Sequence, residues 1–420
     1  MNSEARRLTR IFIINQTLHW FMIGIVIPVI TLFRIEKGLN LFEVGILGSI
    51  SGGAIILLEL PTGGLADAVG RKRVYILSLI TIAAAGIILI AAPGVYMLGV
   101  GFLLLGAARA LSSGAMDAWF VDEFYRVEEK SKLQSALARV NFFIPAGLGL
   151  AAFIGGWLPE SLGRVMETRF GLTIYSANVA VLVLLAGTQM ILTSLLVRET
   201  PDPDRTGNLM AGFRAVPKVL SSSLRYGIRD LSIFLLMLAG FAWGVGFSGL
   251  ETFWQPQFRG VAGVRFEPLW LGFLTAGYFF AGSVGSLLSS RTVAWCRGRN
   301  TLSLFILRLV QGVFFIFLSI QTGIAGFSVF YILVFLFNGA QNPTQMAVFN
   351  GLVPGKERST LLSFQSLFLQ LGGLLGSLIM GYVAEMVSIP RAWWIGAGVL
   401  LLSSVLFLFV REKPDDTIEE

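Results

Sequence analysis

The sequence predicts an all-α membrane protein with twelve transmembrane helices arranged as two pseudo-symmetric six-helix bundles. The chain of 420 residues is 55% hydrophobic and only 14% charged, with a mean hydropathy of +0.75. Apolar runs of about 20 residues, the length that crosses a bilayer, recur along the whole chain. The longest polar stretch lies midway and separates six of these runs from the other six. This pattern favours two bundles over several soluble domains.

The apolar runs define the boundaries of the predicted spans. We expect the first run to be retained, because it lacks the small-residue cleavage pattern of a signal peptide. In chain order the predicted spans are 9–33, 41–66, 72–92, 95–123, 132–157, 172–197, 231–257, 268–290, 301–321, 324–350, 359–387 and 390–410. The predicted domains are an N-terminal bundle over 1–197, a linker over 198–230 and a C-terminal bundle over 231–420 with a short tail. Apolar and basic residues alternate at helical spacing in the linker, which predicts an amphipathic helix on the membrane surface.

Basic residues predict the orientation. With a cytosolic N-terminus, 23 Lys and Arg residues fall on the cytosolic side and 7 on the other. Both termini are therefore expected in the cytosol, and a bacterial inner membrane is the expected location. The formal net charge of +7 is then explained by attraction to anionic lipid rather than by nucleic acid.

Composition argues against catalysis and bound metal. The single cysteine, Cys296, cannot form an internal disulfide or a cysteine-based metal site. The chain has neither a phosphate-binding loop nor a nucleophile elbow. We expect no enzyme activity, no cofactor and no metal site. The expected partners are a small-molecule substrate, protons and membrane lipid, and the expected state is a monomer.

A three-span unit repeats four times. Spans 2, 5, 8 and 11 carry small residues four apart, which let helix backbones approach closely and slide. These rows are Gly45/Ser49/Gly53, Gly147/Ala151/Gly155, Gly277/Ala281/Gly285 and Gly373/Ser377/Gly381. Spans 1, 4, 7 and 10 carry most of the polar groups. We expect the small-residue helices to form moving seams around a cavity lined by the polar spans.

Charges inside the spans predict that cavity. A charged side chain at mid-membrane costs about 2.5–3.5 kcal/mol, so Arg109, Asp117 and Glu251 need one another or a hydrated hollow. The predicted cavity residues are Asn15, His19, Trp243, Phe247, Glu251, Asn338, Gln341, Asn342 and Gln345. The amides of span 10 could bind a polar substrate or hold water and backbone around Pro343. No role is assigned to Arg308.

The turn between the second and third spans reads GGLADAVGRKR, residues 63–73, and crowds charges into a chain that has few. It resembles the G-x-L-a-D-(basic)-x-G-R-K motif of the major facilitator superfamily, with Ala68 at the usually basic position. Twelve spans in a 6+6 division extend the resemblance over nearly the whole chain. The resemblance implies a conformational latch formed by Gly63, Asp67, Gly70, Arg71, Lys72, Asp122 and Glu123. In it Asp67 meets the start of span 11 near Ser359, and Arg71 reaches Asp122 or Glu123.

Four side chains are candidates for proton coupling. Arg109 occupies a position at which proton-linked members of this superfamily often carry an arginine. Asp117, two helical turns along, is expected on nearly the same face, where contact with Arg109 would control its protonation. A static ion pair is the alternative. Glu251 and His19 complete the set, although His19 could equally be a histidine bonded to a neighbour.

The sequence favours one of two transport functions. Glu251 among Trp243, Phe247 and Trp254 suits a lipophilic cation, although Trp254 could be an interfacial residue. The chain is most similar to the drug:proton antiporters, and this resemblance implies proton-coupled efflux of lipophilic, cationic compounds by alternating access. The alternative is a symporter or facilitator that imports a polar or anionic metabolite, using Arg109, Arg308 and the amides of span 10. A transporter-like receptor without solute flux is a third class.

Overall fold

The structure, a computed structural model, describes residues 1–200, 230–353 and 358–412. This part of the chain is helical and contains no β-strand. In the first half the helices are α1 (Ser3–Val26), α2 (Ile30–Glu36), α3 (Leu41–Val69), α4 (Arg71–Ala91), α5 (Val95–Ser112), α6 (Ala115–Val127), α7 (Leu133–Trp157), α8 (Leu162–Phe170) and α9 (Ser176–Leu196). In the second half they are α10 (Leu231–Ala262), α11 (Pro268–Trp295), α12 (Asn300–Ser319), α13 (Ile324–Leu352), α14 (Arg358–Met386) and α15 (Ile389–Ser404).

The helices are long and apolar enough for a multi-pass membrane protein. Among the described residues, 11 helices could each cross a bilayer. The number is 12 if α1 and α2, whose axes are bent by 41° at the break between them, form one span. The predicted fold class is confirmed. The predicted amphipathic helix of the linker lies in 201–229, outside the described residues, and its outcome stays open.

The helices group into two compact units. One contains the described residues up to 200 together with Arg265–Ala276, the start of α11. The other contains the described residues 230–264 and those from Gly277 onward. Each unit has its own apolar core, with Phe12 stacked on Phe120 at 4.3 Å between ring centroids in the first. In the second, the Trp393 indole N–H donates to the Gly249 carbonyl at 3.0 Å.

Polar side chains cap the N-termini of several helices. Asn40 and Glu43 form a capping box at the start of α3, because each side chain accepts from the backbone N–H of the other. The Asp230 carboxylate accepts from the Ser232 and Ile233 N–H groups at the start of α10. Such caps satisfy N–H groups that have no partner within the helix.

Two carboxylates bond the first and the last described residues to the helices. Glu128, just after α6, accepts from Lys132 at 2.8 Å and from the Asn2 backbone N–H at 2.6 Å. These hydrogen bonds lower the pKa of Glu128 to about 2. Burial raises the pKa of Glu412, but hydrogen bonds from Thr301 and Asn300 at the start of α12 outweigh it, so the net shift is downward. Both carboxylates therefore stay ionised and bonded at neutral pH.

Span 1 differs from the prediction because it is broken. Pro28 has no N–H and its ring clashes with the preceding turn, so α1 ends at Val26 and α2 begins at Ile30. The break frees carbonyl groups that water cannot reach in a membrane. Asn178 of α9 compensates by donating its amide to the Ile25 carbonyl at 2.8 Å and to the Gly155 carbonyl at 2.7 Å.

The small-residue rows pack helices inside each unit. A Cβ at Gly147 of α7 would lie 2.8 Å from Thr17 Cγ2 on α1, and one at Gly155 would strike the Ile25 carbonyl. In the second unit Gly285 of α11 meets Leu336 of α13. On α14 the close approach to α10 is made by Gly372 and Gly376, each one residue before a member of the predicted row that starts at Gly373. Gly373 itself faces open space. Within each unit, the other glycines therefore pack helices closely against one another. The expected role of the rows as moving seams stays a prediction.

Candidate functional site

The predicted fourth span is two helices, and this places two charges at helix ends. Gly114 has φ +68°, a left-handed conformation that separates α5 from α6. Arg109 lies in the last turn of α5 and Asp117 in the first turn of α6. The helix macrodipole stabilises a cation at a C-terminus and an anion at an N-terminus. The break therefore explains how an apolar span tolerates both side chains.

Arg109 and Asp117 are not joined by a direct ion pair. In the described part of the chain no carboxylate lies within 4 Å of Arg109. Its guanidinium lies 5.2 Å from the centre of the Trp20 ring, and Asp117 accepts from Gln16 at 3.5 Å. The two charges are still close enough to interact electrostatically. Gly114 interrupts the helix between them, and their expected position on nearly the same face stays a prediction.

His19 belongs to a buried chain of hydrogen bonds between α1, α4 and α9. Gln189 donates to the Asn15 carbonyl at 3.0 Å and to the Tyr75 hydroxyl oxygen at 2.5 Å. The Tyr75 hydroxyl lies 3.1 Å from His19 Nδ1 and can donate to it, which leaves the proton of neutral His19 on Nε2. Asn15 also donates to Thr193 at 2.9 Å. Asn15 is thus only 6% exposed and bonded to a neighbouring helix, and its predicted place in a substrate cavity stays a prediction.

The first unit contains a cavity of about 220 Å³. Its lining residues come from α1, α2, α3, α4, α5, α9 and the α1–α2 break: His19, Ile23, Val26, Ile27, Ile30, Arg34, Ser51, Ile82, Phe102, Leu105, Arg109, Ser112 and Leu182. Two arginines and a histidine lie among mostly apolar walls, and this lining contains no carboxylate. Sequence reasoning placed Arg34 in an external loop and missed it. The signal was Pro28, which breaks the first span and starts the short helix that carries Arg34.

Arg308 is the centre of a buried polar network in the second unit. It donates to Gln341 Oε1 at 3.0 Å and to the Ala239 carbonyl at 2.8 Å, and is only 1% exposed. Gln341 donates in turn to Gln311 at 2.8 Å. Asn338 Oδ1 accepts from Gln311 at 3.3 Å and from the Trp243 indole N–H at 2.8 Å.

This network divides the polar face of α13. Gln341 is only 2% exposed and bonded within this network, which contradicts its prediction as a cavity residue, whereas Asn338 is bonded but half-buried, and its place in a cavity stays a prediction. Asn342 is exposed and Gln345 is half-buried, and neither bonds to another described residue. These two amides stay available to a substrate.

The aromatic residues around Glu251 are mostly buried in packing. Phe247 is 1% exposed and stacks on Trp243, while Trp254 is 2% exposed and packs against Tyr331. Glu251 is exposed and close enough to Tyr278 for electrostatic interaction. The predicted aromatic cation site, with Phe247 and Trp254 facing the same space as Glu251, is therefore not formed. Burial also contradicts the interfacial alternative for Trp254.

The charged turn between α3 and α4 is bonded to the ends of α6 and α9. Arg71 pairs with Asp122 and lies 3.8 Å from Asp67. Glu199 accepts from the Arg71 and Lys72 backbone N–H groups at 2.9 and 3.2 Å and so caps α4. Sequence reasoning missed Glu199, although an acidic residue directly after a span was the available signal.

The other predicted latch contacts have separate outcomes. Lys72 Nζ donates to the Ser194 carbonyl at 2.8 Å. Glu123 instead accepts from Arg126 at 2.8 Å and from Thr200. The expected contact of Asp67 near Ser359 lies outside the described side chains.

Comparison with known proteins decides the family. The sequence model described as Major Facilitator Superfamily matches residues 12–335 and 266–420. The chain belongs to the major facilitator superfamily. A relative in Bacillus subtilis (strain 168), the uncharacterized MFS-type transporter YxaM, is 21% identical over 413 residues, which are 97% of each chain.

Solved structures show the same fold. The nucleoside transporter NupG superposes with a TM-score of 0.79 at 13% identity, covering 98% of this chain and 99% of that one. A bacterial homologue of the human lysosomal transporter Spinster gives 0.73 at 15% identity, covering 99% and 100%. This superfamily member is thus a multi-pass integral membrane transporter and not an enzyme.

The two glycines of the superfamily motif differ in what they require. Gly70 has φ +108°, so we expect Gly70→Ala to destabilise the protein by about 1–3 kcal/mol. Gly63 lies inside α3, and no atom lies within 4 Å of the position that an alanine Cβ would take. Gly63→Ala therefore serves as the matched control and should be neutral or slightly stabilising. Thermal unfolding of the two variants in detergent measures the difference. Equal melting temperatures would contradict the strained role of Gly70.

Proposed function

We propose that this protein is a proton-coupled secondary transporter that exports small lipophilic organic ions by alternating access. The observation that carries the proposal is the discontinuous fourth span, with Asp117 and Arg109 at facing helix ends and no direct ion pair between them. Discontinuous spans are typical of sites at which transporters bind ions and substrates. Membership of a transporter superfamily supports secondary transport, and the positions of these two side chains support proton coupling.

Asp117 is the proposed proton carrier. Approach of Arg109 favours the ionised carboxylate, and withdrawal favours the protonated one. The two states differ by a small movement at Gly114, where the helix is already interrupted. One proton crossing 100 mV yields about 2.3 kcal/mol, and each tenfold accumulation requires about 1.4 kcal/mol, so one proton per cycle is enough for an anionic substrate. Exchange of one proton for a monovalent cation moves no net charge and is driven by the pH gradient alone. Glu251 and His19 are further proposed members of the proton pathway.

The substrate charge is not decided by the comparisons. One matching structure is described as a nucleoside transporter and another as a Spinster homologue, and identities of 13–15% show the fold alone. The buried positions of Phe247 and Trp254 remove two of the aromatic faces on which a cationic substrate depended. The cavity in the first unit instead presents arginines to its contents.

The charge pattern supports the proposed location. The excess of Lys and Arg in alternate loops favours cytosolic termini, and we propose a bacterial inner membrane, a lipid-bound monomer and outward transport. The α3–α4 turn is proposed to act as a cytosolic latch. In this role the pair of Arg71 and Asp122 stabilises one conformation of the transport cycle and separates in the other.

Import is the second candidate function, favoured by the same arginine-lined cavity. The movement of charge distinguishes import from export. In export by the simplest exchange, a monovalent anion leaves as one proton enters, and two charges cross the membrane per cycle. In a 1:1 symport the charges cancel. An inside-negative potential therefore drives the exchange, by about 2.3 kcal/mol per charge at 100 mV, and leaves the symport unchanged.

Proteoliposomes test the proposal. Three compounds with similar shapes differ in charge: benzenesulfonate, benzenesulfonamide and phenyltrimethylammonium. Each is loaded inside vesicles carrying a potassium-diffusion potential, and internal pH and efflux are recorded. We expect one of the charged compounds to leave with internal acidification. Internal acidification that accompanies benzenesulfonate efflux, when an inside-negative potential accelerates both, supports exchange, and inward flux driven by a pH gradient alone supports the symporter. Efflux of all three compounds without a pH change would contradict proton coupling.

A further inference from the structure

We infer that the 220 Å³ cavity of the first unit binds a small organic anion, with Arg34 and Arg109 holding the acidic group and the apolar walls holding the rest. This inference deepens the proposed function by naming the substrate charge and a residue, Arg34, that neither the superfamily motif nor the sequence patterns indicated.

Arg34 is a cation without an acceptor. It lies in the last turn of α2, with its guanidinium carbon 4.0 Å from the centre of the Phe102 ring. Its Nε atom is buried and has no hydrogen-bond partner in the described part of the chain. A guanidinium offers five N–H donors, and burying an N–H without an acceptor is costly. An anionic group in the cavity would remove that cost.

Arg109 supplies a second donor to the same space. It also lines the cavity and has no carboxylate within 4 Å among the described residues. Both guanidinium groups line the same cavity, so an anionic group inside it can be held by one of them or by both.

The contrast with Arg308 separates a binding arginine from a structural one. Arg308 is 1% exposed and Arg34 is half-buried, yet it is the deeper arginine that has acceptors within the protein. Arg308 Nε donates to Gln341 and its Nη1 to the Ala239 carbonyl. Its environment supplies acceptors from the protein itself. Among the described residues, the Arg34 guanidinium contacts the face of the Phe102 ring, which leaves its in-plane N–H donors for a ligand.

The remaining lining determines the size and polarity of the ligand. Eight of the lining residues are Ile, Val, Leu or Phe, and they suit a hydrocarbon or aromatic body. His19 also lines the cavity, and when Tyr75 donates to its Nδ1, the proton on Nε2 can be donated to an anion. A cavity of about 220 Å³ is smaller than the roughly 300–1,000 Å³ typical of drug-sized ligands. The expected ligand is therefore no larger than a substituted benzene.

Binding is measured on the purified full-length protein in detergent, without any gradient. The probes are benzenesulfonate and phenylphosphonate as anions, with benzenesulfonamide and phenyltrimethylammonium as the neutral and cationic counterparts. Melting temperature is followed against the concentration of each probe, and quenching of tryptophan fluorescence reports binding near Trp20. We expect the two anions to raise the melting temperature in a saturable manner and the other two probes to have no effect.

Substitutions assign the binding to the cavity. We expect Arg34→Gln and Arg109→Gln each to weaken anion binding at least tenfold, and Arg34→Lys to retain part of it because the charge remains. Arg164→Gln is the control, because Arg164 is exposed on α8 and pairs with Glu160 and Glu167. If a variant fails to fold, Ile30→Trp, which fills the cavity without removing a charge, serves as an independent probe and should also abolish binding.

The outcomes separate this inference from the proposed function. Absence of anion binding, or equal binding by Arg34→Gln and the native protein, overturns the inference. Proton movement driven by phenyltrimethylammonium would then still support the proposed export. Conversely, saturable anion binding that requires Arg34, without any proton movement in vesicles, supports the anion site and contradicts proton coupling.

Discussion

Replacing Asp117 by Asn is expected to abolish substrate-driven proton movement in proteoliposomes while leaving substrate binding in place. Asparagine has nearly the same shape and keeps the hydrogen bond from Gln16 within reach, but it cannot take up a proton. We expect uphill transport to fall more than tenfold, which corresponds to the loss of at least about 1.4 kcal/mol of coupling. Exchange of labelled substrate at equal concentrations on both sides should persist, because that process needs no net proton transfer.

The control for this prediction is Glu160→Gln. Glu160 is a half-exposed carboxylate paired with Arg164 near α8, away from the discontinuous span. Its replacement should leave proton movement unchanged. Native-like proton coupling in Asp117→Asn would remove Asp117 from the mechanism and direct attention to Glu251, the other carboxylate proposed for the proton pathway.

Replacing Gln341 by Leu is expected to produce the largest loss of stability among the polar residues of the second unit. Leucine has a similar volume, but it lacks the oxygen that accepts from Arg308 Nε and the N–H group that donates to Gln311 Oε1. A buried charge then lacks one of its partners, and we expect a cost of about 2–4 kcal/mol in the free energy of unfolding. Thermal unfolding in detergent should show a clear decrease in melting temperature.

Gln345→Leu is the matched control, since Gln345 lies one turn along the same helix and bonds to no other described residue. This substitution should change the melting temperature little, although it could alter substrate binding if the free amides of α13 contact the substrate. A small effect of Gln341→Leu on stability would contradict a structural role for the Arg308 network and return Gln341 to the candidate substrate contacts.

The sequence predicted most of the helices because the membrane constrains them locally. A span must be apolar over about 20 residues and must satisfy its backbone groups within the helix, so hydropathy alone locates it. The predictions erred where a single residue overrides this rule. Pro28 and Gly114 interrupt spans that are apolar on both sides, and a hydropathy average does not register either break.

The candidate site was predicted less well, because polarity along one helix does not reveal which neighbour a side chain meets. Asn15, Asn338 and Gln341 are as polar as a cavity residue, yet each bonds to another helix of its unit. Arg34 shows the opposite error, since its position in sequence resembled that of a loop arginine. Its burial depends on the bend at Pro28 and on Phe102, a residue far from it in sequence.

The sequence by itself determined the class of this protein: its helices, the division between two halves, the charged motif at residues 63–73 and membership of a transporter superfamily. These properties follow from local composition and spacing. Only the tertiary structure decided which polar groups are occupied and which are free, because a hydrogen bond or a desolvated charge depends on neighbours brought together by packing. That distinction separates Arg308, bonded within the protein, from Arg34 and Arg109, which line a cavity and have no hydrogen-bond acceptor in the described part of the chain.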